Sequence, residues 1–209
     1  MVSELPRYQR LVDGLVLPAA IADEPALDFC NTRAGWGAPA PREYLTSYDH
    51  VVVWAREAEL IAAPIAGRLR VSAKREPRQA GRVLARTLTL RDALYAACTD
   101  FSPAAWDAVA AEARTASAAA VLIQDAPPGQ RWMIPDSAGL ELPALELARA
   151  AGALLASTDL ETVGRCPGEG CGWLFLDTRG RRRWCTMAVC GNRAKARRHA
   201  ARARDEASA

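Results

Sequence analysis

Four cysteines near the C-terminal end constrain this chain more than any other feature of its sequence. Their spacing is Cys166-x4-Cys171-x13-Cys185-x4-Cys190, two pairs separated by a loop. Structural zinc takes four thiolate or imidazole ligands in a tetrahedron, which leaves no position for water or substrate. A stretch this short cannot fold on apolar burial alone, so a bound metal has to contribute. The sequence therefore predicts one structural zinc ion held by these four cysteines.

The cysteines have two other interpretations. They could be buried free thiols or a cytosolic redox pair, but the paired spacing with basic flanks favours zinc. His199 could replace one ligand, although a single histidine on a basic helix more often lies in solvent. Cys30 and Cys98 stand alone in the sequence and are interpreted as small buried residues.

Charge is distributed unevenly along the chain. Residues 1–164 carry 16 Lys and Arg against 20 Asp and Glu, whereas residues 165–209 carry 11 against 4. The segment that follows Cys190 contains strong helix formers and no proline, which predicts a helix with cationic residues on two opposite faces. Such a helix lies free in solvent or against phosphates, and we favour phosphates. The residues predicted to contact DNA are Arg179, Arg181, Arg182, Arg183, Asn192, Arg193, Lys195, Arg197, Arg198 and Arg202.

The rest of the chain predicts a mainly α fold with one β-hairpin, an α+β class. Apolar residues at helical spacing predict four helices, over residues 48–61, 76–99, 103–113 and 142–157. Two short apolar runs around Asp125-Ala-Pro-Pro-Gly129 predict the hairpin, within residues 118–136. Residues 1–26 are interpreted as a lead-in whose Leu15-Val-Leu-Pro18 segment could be a strand.

The predicted domain boundary lies near residue 160. Residues 1–160 would form a helical domain that senses or dimerises, and residues 161–209 a zinc module ending in a basic helix. No apolar run approaches the roughly 20 residues that span a bilayer, and no basic and apolar leader begins the chain. A cytoplasmic protein without membrane contact is expected.

A weaker candidate is a ligand site in the first domain. Its members would be Asn31, Arg33, Trp36 and Trp54, since Arg33 could pair with an anion and aromatic side chains could wall an apolar pocket. The alternative, which we favour, assigns the polar residues after Leu27 to capping and turns and the aromatic residues to the core. No Ser/His/Asp set, phosphate loop or second metal cluster is evident in the sequence, so enzymatic function is not expected.

The quoted residues resemble a known family. Cys166-x4-Cys171, Trp184-Cys185-x4-Cys190 and the Cys190-Gly-Asn-Arg193 motif are similar to the CGNR zinc finger, and Phe175-Leu-Asp-Thr and Arg182-Arg-Trp-Cys-Thr-Met187 fit the same pattern. Proteins with this finger typically carry an N-terminal helical domain with a β-hairpin, called ABATE. Leu27-Asp-Phe-Cys-Asn-Thr-Arg33 is similar to its signature. The resemblance covers nearly the whole chain and implies a bacterial transcription regulator whose finger contacts DNA.

Three functional hypotheses follow from these patterns. The first is a zinc-dependent regulator that binds double-stranded DNA, with a body that senses a small effector or forms a homodimer. The second is a protein-interaction module that docks on an acidic partner of the transcription machinery. The third is a small-molecule binder acting in sequestration or resistance.

Overall fold

The computed structural model describes residues 5–125 and 129–207. In chain order these residues form β1 (Gln9–Val12), β2 (Leu15–Pro18), α1 (Pro25–Cys30), β3 (Arg33–Ala34), β4 (Arg42–Glu43), α2 (Tyr48–Glu57), α3 (Ala63–Arg75), α4 (Pro77–Asp100), α5 (Pro103–Ala119), β5 (Val121–Asp125), β6 (Gly129–Met133), α6 (Leu142–Leu155), β7 (Val163–Arg165), β8 (Leu174–Leu176) and α7 (Asn192–Ala207). The predicted class, mainly α with small β-hairpins, is confirmed.

The chain folds into two compact units. The finger unit joins residues 1–44 with residues 162–209, and the helical unit contains residues 45–161. The boundary predicted near residue 160 coincides with one of the two crossings between the units. The other crossing follows Tyr44, so residues that the sequence assigned to the helical domain pack with the zinc module instead.

Proline and small polar residues begin the helices of the helical unit. Ser47 caps α2, because its side chain accepts a hydrogen bond from the backbone N–H of His50, and Ser102 caps α5 in the same way through Ala105. Proline in the first turn of α3, α4, α5 and α6 suits a position that needs no N–H donor. These local signals fix where each helix starts.

The core of the helical unit lies around α6, most of whose residues are buried. A β-carbon added at Gly152 of α6 would lie 2.7 Å from the β-carbon of Ala113 in α5, so glycine permits the close approach of these helices. Arg86 of α4 donates hydrogen bonds of 2.8 Å to Glu112 of α5 and to Glu141, which precedes α6. Apolar packing and this charged link hold the helices together.

The four helices predicted before residue 160 are present, as α2, α4, α5 and α6, with ends that differ by a few residues from the prediction, and the helix predicted after Cys190 is present as α7. The predicted hairpin is also present, as β5 and β6, with Leu122 paired to Trp132. Residues 126–128 of its turn lie outside the described residues. Helices α1 and α3 are not predicted by the sequence patterns.

The finger unit contains three further strand pairs, where the sequence predicted one hairpin in the whole chain. Strands β1 and β2 pair through an Asp13-Gly14 turn in which both residues have positive φ, 50° and 78°. Tight two-residue hairpin turns require residues that adopt positive φ. Strands β3 and β4 form a second pair, and β7 and β8 form a third that brackets the first two cysteines. No helix of the described residues is long and apolar enough to cross a membrane.

Candidate metal centre

Two backbone turns present the four cysteines. The first turn connects β7 to β8, where the N–H of Cys166 donates to the carbonyl of Trp173 and the N–H of Cys171 donates to that of Gly168, both at 2.8 Å. A β-carbon at Gly168 would lie 3.0 Å from the Cys190 sulphur, so a larger residue there would crowd the cluster and glycine lets the loop approach it closely. The close approach of this turn to the Cys190 sulphur therefore depends on the small residue at position 168, between the first two cysteines.

The second turn carries Cys190 directly into the C-terminal helix. Residues Met187–Gly191 form one π-helical turn, and the side chain of Thr186 caps it by accepting from the N–H of Val189 at 3.3 Å. Helix α7 then starts at Asn192. The orientation of α7 is consequently fixed by a cysteine of the cluster.

The four sulphur atoms lie in the arrangement that zinc requires. All of them are within 4.8 Å of one another, with Cys171 to Cys185 at 3.7 Å and Cys185 to Cys190 at 3.5 Å. A disulfide would need about 2.05 Å, whereas a tetrahedron of thiolates about 2.3 Å from zinc has edges of roughly 3.8 Å. The predicted site is confirmed as fitting one structural zinc ion. His199 is exposed on α7 and does not belong to this group.

The thiols of the cluster also influence one another's ionisation. The hydrogen bond with Cys171, and those with the other two sulphurs, lower the pKa of Cys166 below its ordinary value of 9.0. The hydrogen bond with Cys166 is the main cause that raises the pKa of Cys171 and the pKa of Cys185. Without a cation, four sulphurs this close cannot all carry negative charge. A divalent ion would hold them all as thiolates, and four thiolates leave no open position for catalysis.

The segment that resembles the ABATE signature packs directly on the zinc module. The side-chain amide of Asn31 donates to the Leu174 carbonyl at 2.9 Å and accepts from the Leu174 N–H at 2.8 Å. Trp173 Nε1 donates to the carbonyl of Arg33 at 3.0 Å, and the N–H of Trp36 donates to the carbonyl of Cys171 at 3.2 Å. The N-terminal segment therefore completes the hydrogen bonding of β8 and of the cysteine loop.

The residues of the predicted ligand site lie in two different units and make contacts within the fold. Asn31 is fully buried, and both the nitrogen and the oxygen of its side-chain amide are hydrogen-bonded to the backbone of Leu174. The Arg33 guanidinium lies 4.7 Å from the centre of the Trp36 ring, and Trp36 Nε1 donates to the carbonyl of Cys30 at 3.1 Å. Trp54 is a buried residue of α2 in the helical unit. The favoured alternative, turn and core roles, describes these contacts better.

Asp28 illustrates the same structural use of a polar residue. Its carboxylate accepts hydrogen bonds from the N–H groups of Ile21 at 2.8 Å and Ala22 at 3.0 Å. Burial raises the pKa of Asp28 above its ordinary 3.8, and these two backbone hydrogen bonds only partly offset that effect.

Among the residues predicted to contact DNA, Arg182 has a different environment from its neighbours. It donates to Asp23 at 2.8 Å, to the carbonyl of Cys185 at 2.7 Å and to the carbonyl of Ile21, and its guanidinium lies 4.6 Å from the centre of the Phe175 ring. Its side chain is 24% exposed. Arg182 therefore ties the cysteine loop to the N-terminal segment, and its contact with DNA stays a prediction.

The other predicted DNA contacts fall into two groups. Arg193 donates to the Cys190 sulphur at 3.6 Å, Arg197 pairs with Glu169, and the Asn192 side chain donates to the Ala188 carbonyl at 3.4 Å. These three residues are nevertheless exposed. The second group is also exposed and forms no ion pair with a described carboxylate: Arg179, Arg181, Arg183, Lys195, Arg198 and Arg202.

Comparison with known families agrees with this geometry. A model of the family described as "Putative stress-induced transcription regulator", ABATE, matches residues 23–158. The chain belongs to the ABATE family. A second model, the CGNR zinc finger, matches residues 162–203, so the order of the two regions is that implied by the resemblance. No match was found among curated proteins.

The ABATE match and the compact units divide the chain at different places. Residues 23–44 belong to the ABATE match, yet they lie in the same unit as the zinc finger. One sequence gives no signal for this arrangement, because the hydrogen bonds that create it join Asn31 and Leu174, 143 positions apart.

Proposed function

We propose that this ABATE protein is a zinc-dependent transcription regulator that binds double-stranded DNA through one face of α7 and the arginine loop before Cys185. The family description and the zinc finger support regulation of transcription. The observation that carries DNA binding is the division of charge around α7: the cations of one face bond to groups of the zinc module, and those of the opposite face have no ion-pair partner among the described residues.

Helical geometry separates the two faces. At about 100° per residue, Arg193 and Arg197 lie within roughly 40° of each other, and Lys195 lies almost opposite to them. The first two are bonded to the Cys190 sulphur and to the Glu169 carboxylate, both of which belong to the zinc module. We call Lys195, Arg198 and Arg202 the outer face of α7.

The outer face has the properties of a phosphate-contacting surface. Its three side chains are exposed, and none of them pairs with a carboxylate among the side chains that the structure describes. Three cations on one stripe of a helix repel one another unless they meet an anion, and a row of DNA phosphates supplies one.

The loop between β8 and Cys185 adds a second set of exposed cations. Asp177 organises this loop, because its carboxylate accepts from the N–H of Arg181 at 2.8 Å. Arg179, Arg181 and Arg183 are exposed, whereas Arg182 between them is turned into the unit. Zinc then has a supporting role: it fixes the loop and the start of α7 through cysteines that adjoin both.

The experiment that tests this proposal measures DNA affinity against salt with zinc-loaded, full-length protein. Binding to duplex fragments should weaken with a slope of log K against log salt of about −0.9 for each phosphate contacted. Selection from fragmented genomic DNA should then enrich particular sequences. Protein that shows no salt-sensitive binding to any duplex in a randomised pool would overturn the proposal. Retention of an acidic protein in place of DNA would favour the docking hypothesis.

A further inference from the structure

A cavity of about 240 Å³ lies within the finger unit, beside the cysteine cluster. Its walls come from the N-terminal segment and from the zinc module, and they include Tyr8, Arg42, Tyr44, Gly170, Trp173 and Arg193. Cys171, Cys185 and Cys190 also line it, but Cys166 does not. The cavity therefore adjoins the cysteine cluster and extends from it towards the N-terminal segment.

Three aromatic residues, Tyr8, Tyr44 and Trp173, are among those that line the cavity. Tyr8 and Trp173 meet edge to face, with ring centres 6.2 Å apart and an interplanar angle of 81°. The Trp173 Nε1 donor is taken by the carbonyl of Arg33. Because this donor is already used, Trp173 can contact a ligand only through its ring surface, which favours a planar apolar group.

Two guanidinium groups also line the cavity. Arg42 lies over the Tyr44 ring, 5.1 Å from its centre, and Arg193 donates to the Cys190 sulphur. Within residues 5–125 and 129–207, neither arginine pairs with a described carboxylate. The Glu169 carboxylate at the same cavity is bound by Arg197. With respect to the described residues, both arginines therefore keep N–H donors for an anion, and the guanidinium fork matches a carboxylate.

Tyr44 supplies a third polar group. Its side chain is 2% exposed, and its hydroxyl oxygen accepts from Gln9 Nε2 at 3.0 Å. Burial raises the pKa of Tyr44 above 10.0, so the phenol keeps its proton at neutral pH. No acceptor for that proton is found among the described residues. A buried hydroxyl without an acceptor can donate its hydrogen bond to a ligand.

The size and charge of the cavity limit the ligand. Drug-sized pockets occupy about 300–1,000 Å³, so 240 Å³ suits one ring or two fused rings. Zinc with four thiolates carries a net charge of −2, which disfavours a polyanion such as a nucleotide at this wall. We propose that the cavity binds a small aromatic monocarboxylate, with its ring against Tyr8 and Trp173 and its carboxylate on Arg42, Arg193 and the Tyr44 hydroxyl.

The test titrates zinc-loaded, full-length protein with benzoate, 1-naphthoate and the neutral isostere benzamide, with binding measured by calorimetry. Saturable binding of at least one acid is expected, with benzamide at least tenfold weaker, since it lacks the charge that the arginines recognise. Absence of saturable binding by both acids, or equal binding of benzamide, overturns the proposal. This comparison uses the unmodified chain and needs no DNA, so failure of DNA binding would leave it standing.

Three variants locate the site. Arg42→Gln should weaken binding of the acid at least tenfold, and Tyr44→Phe several-fold, because it keeps the ring and removes only the hydroxyl. Arg181→Gln, an equal change of charge outside the cavity, should leave affinity unchanged. One zinc per chain in each variant shows that the finger unit has folded. Equal losses in Arg181→Gln and Arg42→Gln would contradict binding in this cavity.

Discussion

The side-chain amide of Asn31 pairs with the backbone of Leu174 as a neighbouring strand would, through hydrogen bonds of 2.9 and 2.8 Å. Leu174 is fully buried in β8, directly after the cysteine loop. An unpaired backbone group there would be costly, since no water can replace the bond. The zinc finger of this chain therefore depends on a residue near the other end of the sequence.

Replacing Asn31 by alanine should destabilise the finger unit by about 2–4 kcal/mol, because both buried backbone groups of Leu174 lose their partner. Urea unfolding of zinc-loaded protein checks this, together with the rate of zinc transfer to a chelator, which should rise. Asn192→Ala, at an exposed position, is the matched control. Identical stability of the two variants would contradict the role assigned to Asn31.

Arg182 and Arg181 provide a second matched pair. Arg182→Lys should destabilise the finger unit by about 1–3 kcal/mol, because an ammonium group cannot serve Asp23 and the carbonyls of Ile21 and Cys185 in the fixed geometry of a guanidinium. Arg181→Lys should have little effect, since the Arg181 side chain is exposed. Thermal or urea unfolding measures both. If Arg182→Lys changed only DNA affinity and left stability unchanged, the structural role assigned to Arg182 would be wrong.

Arg181 and Arg182 also differ in a way that local sequence patterns do not predict. The four helices with strong apolar periodicity and the cysteine spacing were predictable because each is a local pattern. Helix α3 was missed because only Ala66, Leu69 and Ala73 of its thirteen residues are buried, a stripe too narrow to stand out. The sequence alone does not distinguish Arg181 from Arg182, because only the fold shows that Arg182 is the one that contacts Asp23.

Removal of a zinc ligand should have an effect that removal of another cysteine does not. Cys185→Ser should lower the zinc content from one ion per chain towards zero and unfold the finger unit, because the metal contributes much of its folding free energy. Cys98→Ala, in the helical unit, should keep one zinc per chain. Metal analysis of the purified variants measures the ratio. A Cys185→Ser protein that kept its zinc would exclude the proposed ligand set.

Asp28 should make stability depend on pH in a defined direction. Since burial raises its pKa in the folded chain, the proton favours folding, and this contribution is lost as pH rises from 3.8 through the folded value. Asp28→Asn keeps an acceptor oxygen and removes the charge, so the variant should gain stability relative to the unmodified chain over that rise. The comparison is made by urea unfolding of both proteins at each pH. Zinc release at low pH affects both proteins alike. A difference in their free energies of unfolding that did not change with pH would therefore contradict the prediction.

The outer face of α7 should determine how steeply DNA binding depends on salt. Changing Lys195, Arg198 and Arg202 together to glutamine should weaken binding and reduce the slope of log K against log salt by about 0.9 for each phosphate that is no longer bound. The control changes Arg75, Arg78 and Arg82 of the helical unit to glutamine, which removes the same charge from exposed positions. If the two triple variants lost affinity equally, the protein would act as a general polycation. A loss confined to the α7 variant, with zinc content unchanged, would place the DNA on the face that the cysteine cluster leaves exposed.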